Sequence, residues 1–272
     1  MRIALGVEYD GANYHGWQRQ KTTTLTVQEC VEKALSKLAV HSVSIMCAGR
    51  TDAGVHAYEQ VVHFETQTNR QAHEWVHGAN SYLPSDIRIL WMLPVVDGFH
   101  ARFSAVARYY RYEILNRDVK SALRRDHVTT VFQTLDVARM QQAAQALIGE
   151  HDFSSFRAQG CQAKSPIKTM HWINIERSGD KITIDIIANA FLHHMVRNIV
   201  GTLLPIGRGE KEIDWLADVL KRKDRKEAGV TAPPNGLFFK GVYYPQYFGL
   251  KADRAFKPFC VDIELSSSME CA

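Results

Sequence analysis

The 272-residue sequence predicts an α+β protein in which two related halves surround a mostly antiparallel sheet. Three observations carry this expectation. A strand–helix–strand–strand pattern occurs twice along the chain. The segment MHWINIERSGDKITIDIIAN (170–189) holds two alternating runs around Ser-Gly-Asp, a hairpin signal. Long connections are few. At roughly 100–200 residues per domain, the length allows one or two domains. The pattern divides into an N-terminal half at 1–103, a C-terminal half at 104–245 and a tail at 246–272 with no assigned role.

Each element has its own reason. RIALGVEYDG alternates, placing Ile3, Leu5, Val7 and Tyr9 on one face, and predicts a strand with one buried side. DGANYHGWQRQ predicts a loop rich in glycine and aromatic rings. TVQECVEKALSKL opens on Thr26 with Glu29 three residues later, a capping-box signature. Val27, Val31, Ala34, Leu35 and Leu38 follow at helical spacing. VSIMCA predicts a short strand that delivers the chain into GRTDAGVHA, and QVVHFET predicts another.

The order then returns. ARYYRYEILN (107–116) predicts a strand. DVARMQQAAQALIGEHDF (136–153) predicts a helix with Met140, Ala144, Leu147 and Ile148 inward. After the hairpin, FLHHMVRNIVGTLLPIG (191–207) predicts an apolar helix ended by Gly207. A short helix at IDWLADVLKRK and a last strand at GLFFKGVYYP complete the set. The tail after Pro245 has weak periodicity, and its end is expected to fray.

Composition narrows the function classes. Hydrophobic residues make up 46% and charged residues 23%, an ordinary globular balance. No apolar run approaches the roughly 20 residues of a membrane span, and the first residues do not read as a secretory signal. A net charge of +4 and a pI of about 8.7 permit nucleic acid without demanding it. The five cysteines are widely spaced and form no CxxC, which disfavours a disulfide framework or a zinc site and predicts reduced, cytoplasmic thiols. No P-loop, dinucleotide fingerprint or nucleophile elbow occurs, so no cofactor is expected.

Four stretches could carry chemistry. In GRTDAGVHA, Thr-Asp-Ala-Gly is ordinary turn chemistry. Yet Asp52 follows a buried-looking strand and has Arg50 beside it, and an adjacent arginine keeps a carboxylate ionised, as a nucleophile must be. In ARYYRYEIL, strand alternation points Arg108, Tyr110 and Tyr112 one way and Tyr109 and Arg111 the other. That is either a plain aromatic strand or a stacking platform with positive charge. In FLHHMVRNIVG, His193 and His194 would point about 100° apart on a helix and make poor joint metal ligands. Arg197 lies in the same apolar helix and, if buried, requires a carboxylate, for which Asp52 is a candidate. KRKDRKEAG gathers Lys221, Arg222, Lys223, Arg225 and Lys226, either a solvated helix end or a phosphate contact. Arg19, in the first loop, is a further candidate for RNA contact.

Six blocks are familiar together. YDGANYHGWQRQ, GRTDAGVHA, HARFSAVARYYRY, DFSSFRA, FLHHMVRNIVGTLLPIG and AGVTAPPNGLFFKGVYYP, in order over residues 1–245, resemble the TruA family of tRNA pseudouridine synthases. The resemblance implies the pseudouridine synthase fold, with two RRM/ferredoxin-like halves, no metal or organic cofactor, and a homodimer. It implies uridine at positions 38, 39 and 40 of the tRNA anticodon stem-loop as substrate. By the matching motifs, Asp52 is the catalytic aspartate, Tyr110 stacks on the target uracil, and Arg197 pairs with the carboxylate. Arg50 is the motif arginine that positions or replaces the flipped base. The run at 221–226 and the tail lie outside the resemblance.

Two rival readings exist. A tRNA-binding or tRNA-folding protein without catalysis keeps the basic and aromatic features but has no use for Asp52. A metal-dependent hydrolase built on Asp52, His56 and His63 lacks a second carboxylate at ligand spacing.

Overall fold

The computed structural model of the protein describes residues 1–20 and 25–250. The chain begins with β1 (Arg2–Tyr9) and α1 (Val27–Ala39), followed by β2 (Met46–Cys47) and β3 (His56–Glu65). Next come α2 (Ala72–Tyr82), β4 (Ile87–Val95), β5 (Ala107–Asn116), β6 (Thr129–Val131), α3 (Val137–Ala144) and β7 (Gly149–Asp152). The hairpin β8 (Ile167–Ser178) and β9 (Lys181–Ala188) leads to α4 (Met195–Gly207), α5 (Trp215–Arg222) and β10 (Leu237–Tyr243).

The ten strands among the described residues belong to one sheet, ordered β4-β1-β3-β10-β5-β9-β8-β7, with β2 on β3 and β6 on β5. Pairing is antiparallel except for β10 with β3 and β5 with β6. The last strand therefore lies between strands that are far from it in sequence. Its seam with β3 is short, two pairs only: Phe238 with His56 and Phe239 with Ala57. On its other side Phe239 lies opposite Tyr110.

The expected alternation of β5 holds. Tyr110, Tyr112 and Ile114 enter the main core, whereas Tyr109 packs with Ala107 and Ile187 on the other face. That second face also takes the ionic residues: Tyr109 Oη and Arg111 Nε each donate to Asp185 Oδ1 at 2.7 Å. The main core includes Leu35, Trp75, Ile184 and Leu203, so helices from both ends of the chain cover the same sheet.

Several elements depart from expectation. The helix predicted over 136–153 stops at Ala144, passes through one 3-10 turn, and becomes an edge strand paired with β8. Gly149, at φ +103°, takes a conformation closed to a helix, and the open edge of β8 offers its neighbours hydrogen bonds instead. Ile148 is consequently 40% exposed, while Met140, Ala144 and Leu147 are buried as expected. The helix predicted from 191 begins at Met195, because His194 is left-handed, at φ 60°. Thr26 does cap α1 through Glu29 N, but the Glu29 carboxylate turns to Lys33 at 2.9 Å, so the side-chain half of the capping box is replaced by an ion pair. The elements α2 and β4 lack a strong sequence signal. The helix buries only Trp75 and Ala79, and β4 is an edge strand containing Pro94. The end of the tail, with Cys260 and Cys271, lies outside the described residues; Phe248 and Leu250 pack against a small cluster around Phe99.

Candidate active site

Asp52 sits on the loop between β2 and β3, and three neighbours fix that loop. Before it, Gln60, fully buried on β3, clamps Gly49: its amide donates to Gly49 O and its carbonyl accepts from Gly49 N. At Thr51 the hydroxyl bonds Tyr9 Oη at 2.8 Å. Behind it the glycine-rich loop after β1 closes on the backbone, with Trp17 N donating to Thr51 O at 3.0 Å. This approach requires glycine at position 16: φ is +89°, and a Cβ there would lie 2.9 Å from Thr51 O. Val55 N donates to Asp52 O and closes the turn that the sequence pattern implied.

The Asp52 side chain is about one-quarter exposed and meets three cationic or polar groups. Arg197 Nη1 lies 3.2 Å from Oδ2. His194 Nε2 lies 3.3 Å from the same oxygen, and His193 Nε2 lies 3.3 Å from Oδ1. Arg197 is itself oriented by Ala232, whose carbonyl accepts from Nε at 2.8 Å. The buried-arginine argument therefore finds its carboxylate. The two histidines do not diverge as helical spacing implied. They precede the helix, the left-handed turn at His194 folds one ring toward the other, and the centroids are 4.0 Å apart. Burial holds the His194 imidazole below its usual range, with Arg197 adding to the effect and Asp52 opposing it.

The site opens into a cleft of about 1420 Å³. Tyr110 lines it, its ring edge-on to Phe191 at 4.9 Å and to Phe239 at 5.0 Å. Burial, with Tyr9 and Asp52 nearby, raises the Tyr110 phenol well above its ordinary range, so it stays protonated. Tyr109 is on the opposite face and does not reach this cleft. Arg50, Arg102, Arg108 and Arg197 line the walls, and among the described residues Asp52 is the one carboxylate in the lining. A single acid at the floor of an arginine-lined cleft fits a polyanion that presents one reacting group.

The other predicted contacts lie elsewhere. Arg19 pairs with Glu32 at 3.5 Å, and Lys221 is exposed beside Asp218. Arg222 pairs with Glu227, Lys223 reaches Asp152 at 3.4 Å, and Arg225 turns inward onto Asn198 and Thr231. None of these lines the Asp52 cleft. Reasoning from sequence missed His193, His194 and Gln60 as parts of the site, whereas Arg108 lines the cleft with Tyr110, the face on which strand alternation put both. The adjacent histidines were a signal, but their convergence depends on a backbone turn.

Among the described residues, two sets of donors could hold a metal ion: Asp52 with His193 and His194, and Asp10 with His56 and His127. Neither suits one. Arg197 already occupies Oδ2 of Asp52 and repels a cation. The His56 Nδ1 lone pair accepts from Gly11 N at 3.1 Å. The hydrolase set fails on placement, since His56 belongs with Asp10 whereas His63 packs on His100 and Phe99.

Comparison with known proteins shows the family. A family model described as "tRNA pseudouridine synthase" matches residues 6–104 and 143–245. The chain is 52% identical over 262 residues to tRNA pseudouridine synthase A of Methylococcus capsulatus, covering 96% of each chain. It is 54% identical to that of Pseudoalteromonas atlantica, covering 92% of this chain and 95% of the relative. It is 55% identical to that of Nitrosococcus oceani, covering 92% and 96%. With matches of this extent on both sides of the Asp52 cleft, the chain belongs to the tRNA pseudouridine synthase family.

Proposed function

We propose that this protein converts uridine to pseudouridine at positions 38, 39 and 40 of the tRNA anticodon stem-loop, with Asp52 as the nucleophile. The observation that carries the reading is the Asp52–Arg197 pair at the floor of an arginine-lined cleft. The overall change is an isomerisation. The bond from C1′ to N1 breaks, the uracil turns over, and a bond from C1′ to C5 forms. The C5 proton then leaves while N1 gains one. Nothing is oxidised or hydrolysed, so a carboxylate and a proton path suffice. The base must leave the helical stack to be reached.

Each residue has a part. Arg197 aligns the Asp52 carboxylate through Oδ2, and Oδ1, beside His193 Nε2 at 3.3 Å, is the oxygen presented to the reacting ring. An ionised carboxylate serves attack on the ribose, attack on the uracil and elimination to a glycal alike. Tyr110 packs its ring on the target uracil and stands near C5 when the proton departs. Arg50, exposed on the loop, occupies the space the flipped base vacates. Arg19, Lys221, Arg222 and Lys223 contact phosphates farther along the tRNA. The halves 1–103 and 104–245 act together, since the strands of both join in one sheet, and two copies of the chain form a homodimer. The described cysteines are free thiols, in keeping with a cytoplasmic enzyme. No helix among the described residues is long and apolar enough to cross a membrane.

The test is release of tritium from tRNA labelled at C5 of uridine. Wild-type protein releases it and Asp52→Asn does not, at equal tRNA binding. Equal release by the two proteins would remove Asp52 from the chemistry. No release by the wild type would leave a tRNA-binding protein. Sedimentation of the protein at micromolar concentration tests the dimer.

A further inference from the structure

One ring on the cleft has no place in the core. Phe103 is 75% exposed, yet it lines the same cleft as Asp52 and Tyr110. A single exposed phenylalanine is unremarkable by itself. Here, however, the loop that carries it is built. His100 N donates to Ser104 Oγ at 2.9 Å, and Ser104 N donates back to His100 O at 2.9 Å. His100 Nδ1 accepts from Arg102 N at 3.1 Å and from Phe103 N at 3.3 Å. The His100 ring backs the Phe103 ring at 4.3 Å and 34°, and itself leans on His63. The Arg102 guanidinium stands 5.6 Å from the Phe103 centroid.

The loop is also tied to the catalytic segment. The Arg108 guanidinium donates to Arg102 O and Ala105 O on this loop and to Ala48 O just before Gly49 and Arg50. A bare aromatic ring with a cation beside it, held rigidly at a fixed position relative to Asp52, is the arrangement that binds an unstacked nucleobase.

We propose that Phe103, with Arg102, is a stacking platform for the nucleobase next to the flipped uridine. The proposal rests on the reading of this chain as a tRNA-modifying enzyme. Flipping one base removes a stacking partner from its neighbour, and the Phe103 ring replaces it. The Arg102 guanidinium takes the adjoining phosphate.

Phe103→Ala, Phe103→Leu and Phe103→Tyr test this with unmodified tRNA, by filter binding for Kd and by tritium release for KM and kcat. A stem-loop RNA carrying 5-iodouridine beside the target uridine, cross-linked by long-wavelength light, locates the contact. Stacking on one base predicts that Ala and Leu variants raise Kd and KM roughly 5- to 100-fold with little change in kcat, and that the Tyr variant matches wild type. The cross-link falls on Phe103. Because the side chain is exposed, all three variants melt with the wild type. Wild-type affinity in the Leu variant would make the ring mere apolar cover and overturn the platform. A cross-link on another residue would do the same. Absence of tritium release from the wild type would overturn the enzymatic reading alone, since Kd and the cross-link report the platform independently.

Discussion

Arg197 Nη1 meets Asp52 Oδ2 at 3.2 Å across 145 residues of sequence. Asp52 lies on the loop entering β3 and Arg197 on the helix that follows β9, and β10 and β5 lie between those two strands in the sheet. A guanidinium that is 13% exposed beside a carboxylate that is 26% exposed is partly shielded from water and still open to substrate. Arg197→Ala is expected to lower kcat/KM by about 10²-fold or more and stability by about 1–3 kcal/mol. Because the two act as a unit, Asp52→Asn with Arg197→Ala should be no slower than Asp52→Asn alone. Tritium release from the four proteins of this cycle checks it, and additive losses would show that Arg197 acts independently of Asp52.

Tyr110 separates ring from hydroxyl. Tyr110→Phe keeps the ring packed on Phe191 and Phe239, so tRNA binding should hold. If the hydroxyl assists departure of the C5 proton, kcat falls by about 10²-fold. A Tyr110→Phe enzyme turning over at the wild-type rate would confine the residue to packing.

Gly16 is far from Asp52 in sequence and against the backbone of its loop in space. Gly16→Ala forces an L side chain into φ +89° and places its Cβ 2.9 Å from Thr51 O. The expected cost is about 1–3 kcal/mol, with loss of activity because the Asp52 loop must shift. Thermal melting and tritium release should fall together; an unchanged rate would mean the loop tolerates displacement.

Acid should weaken the fold through histidine. Burial, with His100 and Arg2 nearby, lowers His63 from 6.5 to about 4. The unfolded chain therefore takes up this proton first as pH falls, and stability from this group is present above pH 6.5 and lost progressively down to about pH 4. Melting temperature measured across this window should decline, and His63→Gln should flatten the decline. His56 is shifted in the same direction by burial and should contribute a slope of the same sign.

The basic residues should divide by location. Each phosphate contact removed lowers the salt dependence of tRNA affinity by about one power of salt concentration. Arg102→Gln and Lys221→Gln should each do so if both regions touch RNA. Kd measured from low to moderate salt decides this, and an unchanged slope for Lys221→Gln would restrict the RNA footprint to the cleft.

Alternation and helical spacing in the sequence determined most of the elements, and with them the faces of β5 that send Tyr110 and Tyr109 apart. Those signals are local, since each residue's face follows from its neighbours two to four positions away. The charge in α4 likewise implied a partner for Arg197. What only the tertiary structure decided depends on contacts between distant segments. The sheet edge of β8 claimed residues 149–152 from a helix-like pattern, and one left-handed residue, His194, turned two histidines onto Asp52. Gln60 reads locally as an ordinary strand residue, and the backbone-clamping part of Arg108 has no local signal. Both became part of the site because the backbone carbonyls at Gly49 and Ala48 need donors, and the fold placed these side chains within reach.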